Sequence, residues 1–185
     1  IAASNVDCST NTAIPTAGNN IHKNNDTNNV QSAKCVNWYW EVQNNIYIGK
    51  GSNLANATNY INGIFNQVST LYANDGISIT LKTLYIWTTP DPYTSTSSYN
   101  ILTQWGNYRT TFTGDLAHLI GYSNYGGLAA QVNALCSVIP KYKMAYSGID
   151  ATYTNVPLYS WTIKVIAHEE GHLLGSKHTH DCVWN

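Results

Sequence analysis

Residues 168–178 read His168-Glu169-Glu170-Gly171-His172-Leu173-Leu174-Gly175-Ser176-Lys177-His178, and this stretch decides how the rest of the chain is read. His168 and His172 stand four positions apart, so on a helix they project from one face, a turn apart. Two imidazoles so placed can reach one ion at roughly 2.0–2.1 Å. Glu169 follows the first of them, where it can lie beside the ion without binding it and reach a water in an open coordination position. A continued helix would carry residue 178 away. Gly175 accepts a positive φ at little cost, so the chain can turn there and bring His178 back as a third nitrogen. Three histidines with one position left to water describe a catalytic zinc site, whereas structural zinc sites close with four protein ligands. Glu169 is then the candidate general base, and the implied chemistry is peptide-bond hydrolysis by an activated water without a covalent intermediate. A bare His-Glu-x-x-His arises by chance; the glycine and third histidine at fitting offsets set this one apart. His180 is the competing reading for the third nitrogen, as a substitute ligand or as a plain surface residue.

Working outward, apolar periodicity predicts a helix from about Leu158 or Ser160 to Leu174, stopped by Gly175. A second long helix is expected from a Ser52 cap to about Ala73, because Leu54, Ala57, Tyr60, Ile61, Ile64, Phe65 and Val68 recur at three- and four-residue steps. Residues 100–109 give another helix. Strands are expected at 36–42, rich in aromatic and β-branched residues, at 77–87, where apolar and polar residues alternate, and at 116–120 and 141–149. Residues 128–130 follow Gly126 and Gly127 and read as an edge segment. Residues 1–34 are polar and irregular, a lead-in that Cys8 and Cys35 could staple to the body. Alternating strand and helix signals give an α/β or α+β class in one domain.

Composition narrows the function classes. The chain has 185 residues, of which only 10% are charged, with a net charge of −1. A nucleic-acid binder needs a basic stripe for phosphate contacts, and none is present. No run of about 18 apolar residues occurs, so no membrane span is expected, and no signal peptide is visible at the start. The four cysteines, at 8, 35, 136 and 182, form no CxxC pair. They read as disulfide partners in an oxidising compartment, or else as buried thiols, and the first reading makes the chain a secreted one.

The segment HEEGHLLGSKH resembles the signature of the metzincin zinc metallopeptidases. With the stretches at 36–41, 59–86, 114–117, 156–161 and 175–184, the chain looks most like the secreted bacterial type of the reprolysin or adamalysin branch. The likeness covers roughly residues 35–185, making these the catalytic domain, and is weak away from the zinc helix. It implies a twisted, mostly parallel five-stranded sheet with a backing helix and the active-site helix below it. It implies protein or peptide substrates, held along an edge strand near Gly126, Gly127, Leu128 and Ala129 by backbone hydrogen bonds; an ordinary glycine-rich loop is the alternative. It also implies a structural calcium ion, for which Glu41 and Asp115 fall at matching places; plain surface or hydrogen-bonded carboxylates are the alternative.

Three departures from the family pattern bear on function. The family's Met-turn follows the third histidine, yet the only methionine, Met144, precedes it; the chain then reads as one piece of a nicked or truncated protein, or its lower subdomain is supplied by a separate C-terminal segment acting as a partner. Glu170 replaces a usual apolar residue and needs an exposed place or a partner. Cys136 and Cys182 pair with each other, or with cysteines beyond. Cys8, if residues 1–34 are a pro-segment remnant, is either a disulfide partner of Cys35 or a thiolate able to block the zinc. Two other function classes stay open: a zinc-containing binding module without catalysis, and an exopeptidase or amidase on the same helix, which would need a charged terminus pocket that the sequence does not reveal.

Overall fold

The computed structural model describes residues 35–178. Its elements are β1 (Cys35–Val42), α1 (Asn44–Gly49), α2 (Leu54–Asn74), β2 (Ser78–Ile86), α3 (Ser98–Tyr108), β3 (Leu116–Tyr122), β4 (Gly127–Ala129), β5 (Met144–Ile149) and α4 (Trp161–Leu174). The five strands form one sheet in the order β2-β1-β3-β5-β4. All pairings are parallel except that of β4 with β5, which is antiparallel. The expected mixed α/β class, mostly parallel sheet, long helix and active-site helix are all present.

Parallel strands are normally covered on both faces, and their sequences then run apolar without a gap. The side chains of β3 and β5 are buried nearly throughout, and both strands are apolar except for His118 and Ser147. Alternation along the strands sorts side chains between two layers. Trp38, Trp40, Val42, Leu116, Ile120, Ala145 and Ile149 pack with residues of α2 and α4. Tyr39, Ala117, Leu119, Met144 and Tyr146 pack with Ile101, Leu102 and Trp105 of α3 on the other face. The sheet is thus a middle layer. α4 lies under it with Ile163, Ile166, Glu170 and Leu173 buried at three- and four-residue steps, which leaves His168 free to face a cleft.

Differences from the sequence reading are local. Asn53, not Ser52, caps α2, its side chain accepting from the Asn56 amide at 3.1 Å; Ser52 sits just outside with φ +52. Helix α1 was not expected, because six residues are too few to show a period. The expected strand at 141–149 begins only at Met144, since Pro140 starts a tight 3-10 turn over Pro140–Lys143. Cys35 carries a free thiol, its Sγ 2.8 Å from Thr80 Oγ1. Cys8 and the rest of the lead-in, like Cys182 and His180, lie outside the described residues. No helix among the described residues is long and apolar enough to cross a membrane.

Candidate active site

Helix α4 carries His168, Glu169 and His172, and Gly175 ends it with φ +114, the left-handed turn that a Cβ would disfavour. The turn does what the spacing asked of it. His178 comes back so that its Nε2 lies 3.2 Å from His168 Nε2 and 3.0 Å from His172 Nε2, while those two are 3.1 Å apart. Three imidazole nitrogens cannot all donate to one another, so at least some lone pairs converge on one point. Nitrogens bound tetrahedrally at about 2.05 Å would stand roughly 3.3 Å apart, close to the observed triangle. The donor set therefore fits zinc, and these three form the candidate metal cluster among the described residues.

Neighbouring groups prepare the histidines for a cation. His172 Nδ1 is 2.7 Å from the Ser176 carbonyl; a carbonyl only accepts, so Nδ1 holds the hydrogen and Nε2 keeps its lone pair. Burial, then the nearby His172, His178 and Lys164, hold the His168 imidazole below its usual range, which favours the neutral, metal-binding form.

Glu169 points under the edge strand and is only 6% exposed. Burial pushes its carboxyl above the usual range, partly offset by His118, His172 and the Ala129 backbone amide. The room for it comes from Gly127: a Cβ there would lie 2.5 Å from Glu169 Cγ and Oε1. Glu169, the three histidines and Gly127, Leu128 and Ala129 of β4 line one cavity of about 400 Å³. A larger hollow of about 740 Å³, mostly apolar, opens on the other flank of His168 and His172 between α2, the 156–160 segment and α4.

Glu170, for which the sequence requires an exposed place or a partner, is fully buried and points into the sheet. Its Oε1 accepts from Trp40 Nε1 at 2.9 Å and is hydrogen-bonded to His118 Nδ1 at 3.1 Å; His118 Nε2 continues to Ser147 Oγ at 2.8 Å. Trp40 and His118 are direct neighbours on β1 and β3, so this chain of polar groups crosses three strands above the active-site helix. Glu170 Oε2 is buried and meets no partner among the described residues, and burial raises the carboxyl's pKa against the pull of His118 and Trp40. The sequence carried one clue that was not used, a histidine inside the apolar run Leu116-Ala117-His118-Leu119-Ile120.

The calcium site is not supported. Glu41 is fully buried and receives five protein donors: Tyr39 Oη, Trp105 Nε1 and Arg109 Nε on Oε2, and Trp87 Nε1 and Tyr93 Oη on Oε1, at 2.7–3.1 Å. A carboxylate offers about four lone-pair sites, so none is left for a cation, and a guanidinium already supplies the positive charge. Burial alone would raise the Glu41 pKa, but the bonds from Arg109, Tyr93, Trp87 and Trp105 outweigh it and hold it low. Asp115 instead accepts from the backbone and side-chain nitrogens of Asn37 at 2.8 and 3.0 Å, four residues along β1 from Glu41, roughly 13 Å away.

Comparison with known proteins gives the same picture. The model of the family Reprolysin_5, metallo-peptidase family M12, matches residues 41–183. No curated protein sequence matches the chain. Among solved structures, a chain in one described as "Structure of a chaperone-substrate complex" is similar over 78% of this chain, with 13% identity and a TM-score of 0.54. Metalloproteinase-II from Bacteroides fragilis is similar over 80% of this chain, with 17% identity and a TM-score of 0.49. The chain spans only 24% and 44% of the lengths of those two chains.

Proposed function

The chain belongs to metallo-peptidase family M12, and from that premise we propose that it is a zinc-dependent endopeptidase of the metzincin type. The observation that carries the proposal is the triangle of Nε2 atoms of His168, His172 and His178, 3.0–3.2 Å on each side, with Glu169 lining the same cavity. His168, His172 and His178 would hold the zinc, which would supply Lewis acidity there, making water more acidic, towards a pKa of about 7, and the substrate carbonyl more electrophilic.

The chain's own groups do the rest. Glu169 takes the proton of the attacking water and returns it to the leaving amine, so the peptide bond breaks with no covalent enzyme intermediate. Gly126, Gly127, Leu128 and Ala129 offer the outer edge of β4 to an extended peptide, whose backbone adds to the sheet and lies across the cavity. Secretion is part of the same proposal, supported by reading the cysteines, which form no CxxC pair, as disulfide partners, and fractionation of the source into cells and medium tests it.

The test of the chemistry is Glu169→Gln. The variant should bind one zinc per chain, measured by elemental analysis, and lose peptide hydrolysis by two or more orders of magnitude. Full turnover by the variant would remove Glu169 from the mechanism, and a parent chain without zinc would remove the metal site.

A further inference from the structure

β4 ends the sheet: β5 pairs with one of its edges, and no described strand pairs with the other. Its residues alternate in direction. Gly127 and Ala129 face α4, since a side chain at Gly127 would run into Glu169 and Ala129 packs with the layer that contains α4. Leu128 and Ala130 turn the opposite way and pack with the α3 layer. An extended peptide added to the free edge must alternate in step. Residues opposite Gly127 and Ala129 then send their side chains towards the histidines, and the residue opposite Leu128 sends its own towards α3.

A separate cavity of about 400 Å³ waits on that side, and it shares Leu128 and Ala129 with the active-site cavity. Leu102, Gly106, Lys141 and the rings of Tyr99 and Tyr142 line it. Both rings are open to solvent, Tyr99 at 68% and Tyr142 at 39% exposure, so the core does not use them. Gly106 widens the hollow, because even a Cβ there would touch the Lys141 side chain at 3.4 Å. Lys141 Nζ lies 5.6 Å from the Tyr142 ring centroid, which places a cation at the wall.

Resting on the reading of the cleft as a peptide-binding one, we propose that this cavity is a specificity subsite for an aromatic side chain of the substrate. Two exposed tyrosine rings offer the offset or edge contacts that aromatic pairs prefer, and the ammonium adds attraction to a ring face. The same ammonium repels a basic side chain. The subsite reads the substrate residue next to those aimed at Glu169, so it selects from within a position or two of the cleaved bond.

Fluorescence anisotropy of labelled alanine-rich peptides, each with one Phe, Glu, Lys or Ala at a scanned position, tests this on the zinc-loaded Glu169→Gln chain. One position should favour Phe over Ala by about 10-fold or more, with Lys weakest. The preference should shrink to about threefold or less in Tyr99→Ala/Tyr142→Ala, which removes the walls, and in Thr103→Trp, which fills the hollow from an exposed position on α3. No Phe preference at any position, a preference for Glu over Phe, or a preference that survives both variants would overturn the proposal. Failure of the peptidase reading looks different: the zinc-loaded parent would leave the peptides uncut while the Phe preference persisted.

Discussion

Replacing Gly127 by alanine isolates the placement of the general base. The added Cβ would stand 2.5 Å from Glu169 Cγ and Oε1 and 2.8 Å from Cδ. Ordinary contacts between carbon atoms lie near 3.5–4.0 Å, so one partner must retreat by about 1 Å. Gly127 is not in the left-handed region, so alanine brings no backbone strain and only room is lost. The strand is fixed by its pairing with β5, and the carboxylate is the softer partner. A misplacement of about 1 Å in a reacting group costs roughly 10²-fold, or about 2.7 kcal/mol of barrier. Expected, therefore, is a kcat/KM for a peptide substrate about 100-fold below the parent's. Zinc content should be unchanged, because the histidines are untouched. On a Glu169→Gln background the same substitution should cost little more, since the group it displaces is already disabled. Activity within a few-fold of the parent, with zinc retained, would refute the reasoning.

Other outcomes follow from the same coordinates. Glu169 works as a base only when deprotonated, so activity should be lost on acidification, and a kcat/KM profile with no acid limb would contradict the assignment. The folded pKa of Glu41 is depressed, so its contribution to stability is present above the unfolded value and is lost as pH falls through the folded one. Glu41→Ala, which leaves five donors without their acceptor, should cost about 3–5 kcal/mol in urea unfolding at pH 7, and a loss under about 1 kcal/mol would show the knot to be idle. Glu170→Gln keeps an acceptor for Trp40 Nε1, whereas Glu170→Leu orphans that group and His118; the leucine variant should be less stable than the glutamine one by about 1–3 kcal/mol, and equal stability would mean that the buried polar chain does nothing for the fold.

The zinc helix was legible because its requirements are local. A spacing of four on a helix, one glycine and a third histidine fix the triangle without reference to the rest of the chain. The same holds for α2 and the strands, whose periods run long enough to be counted. What stayed hidden depends on packing between distant segments. The glutamate at 170 showed that an exposed place or a partner was required, but His118, 52 residues away, could be matched to it only once β3 lay over α4. The importance of Gly127 likewise appears only when β4 is laid over Glu169. The calcium expectation was not supported for a related reason: position along the chain placed Glu41 correctly on β1, but four of the five donors that claim it come from residues 87–109, and their convergence is a tertiary fact.

β4 is only three residues long. An unpaired sheet edge is a template on which any extended chain can build, including another copy of the same protein, and a long flat edge invites stacking into fibres. With Gly126 at φ +75 immediately before it, this edge is too short and too abruptly turned for self-assembly to gain purchase, and a guest held by so few backbone bonds can also leave. An opening left for transient visitors is in this way kept from becoming a seam between neighbours.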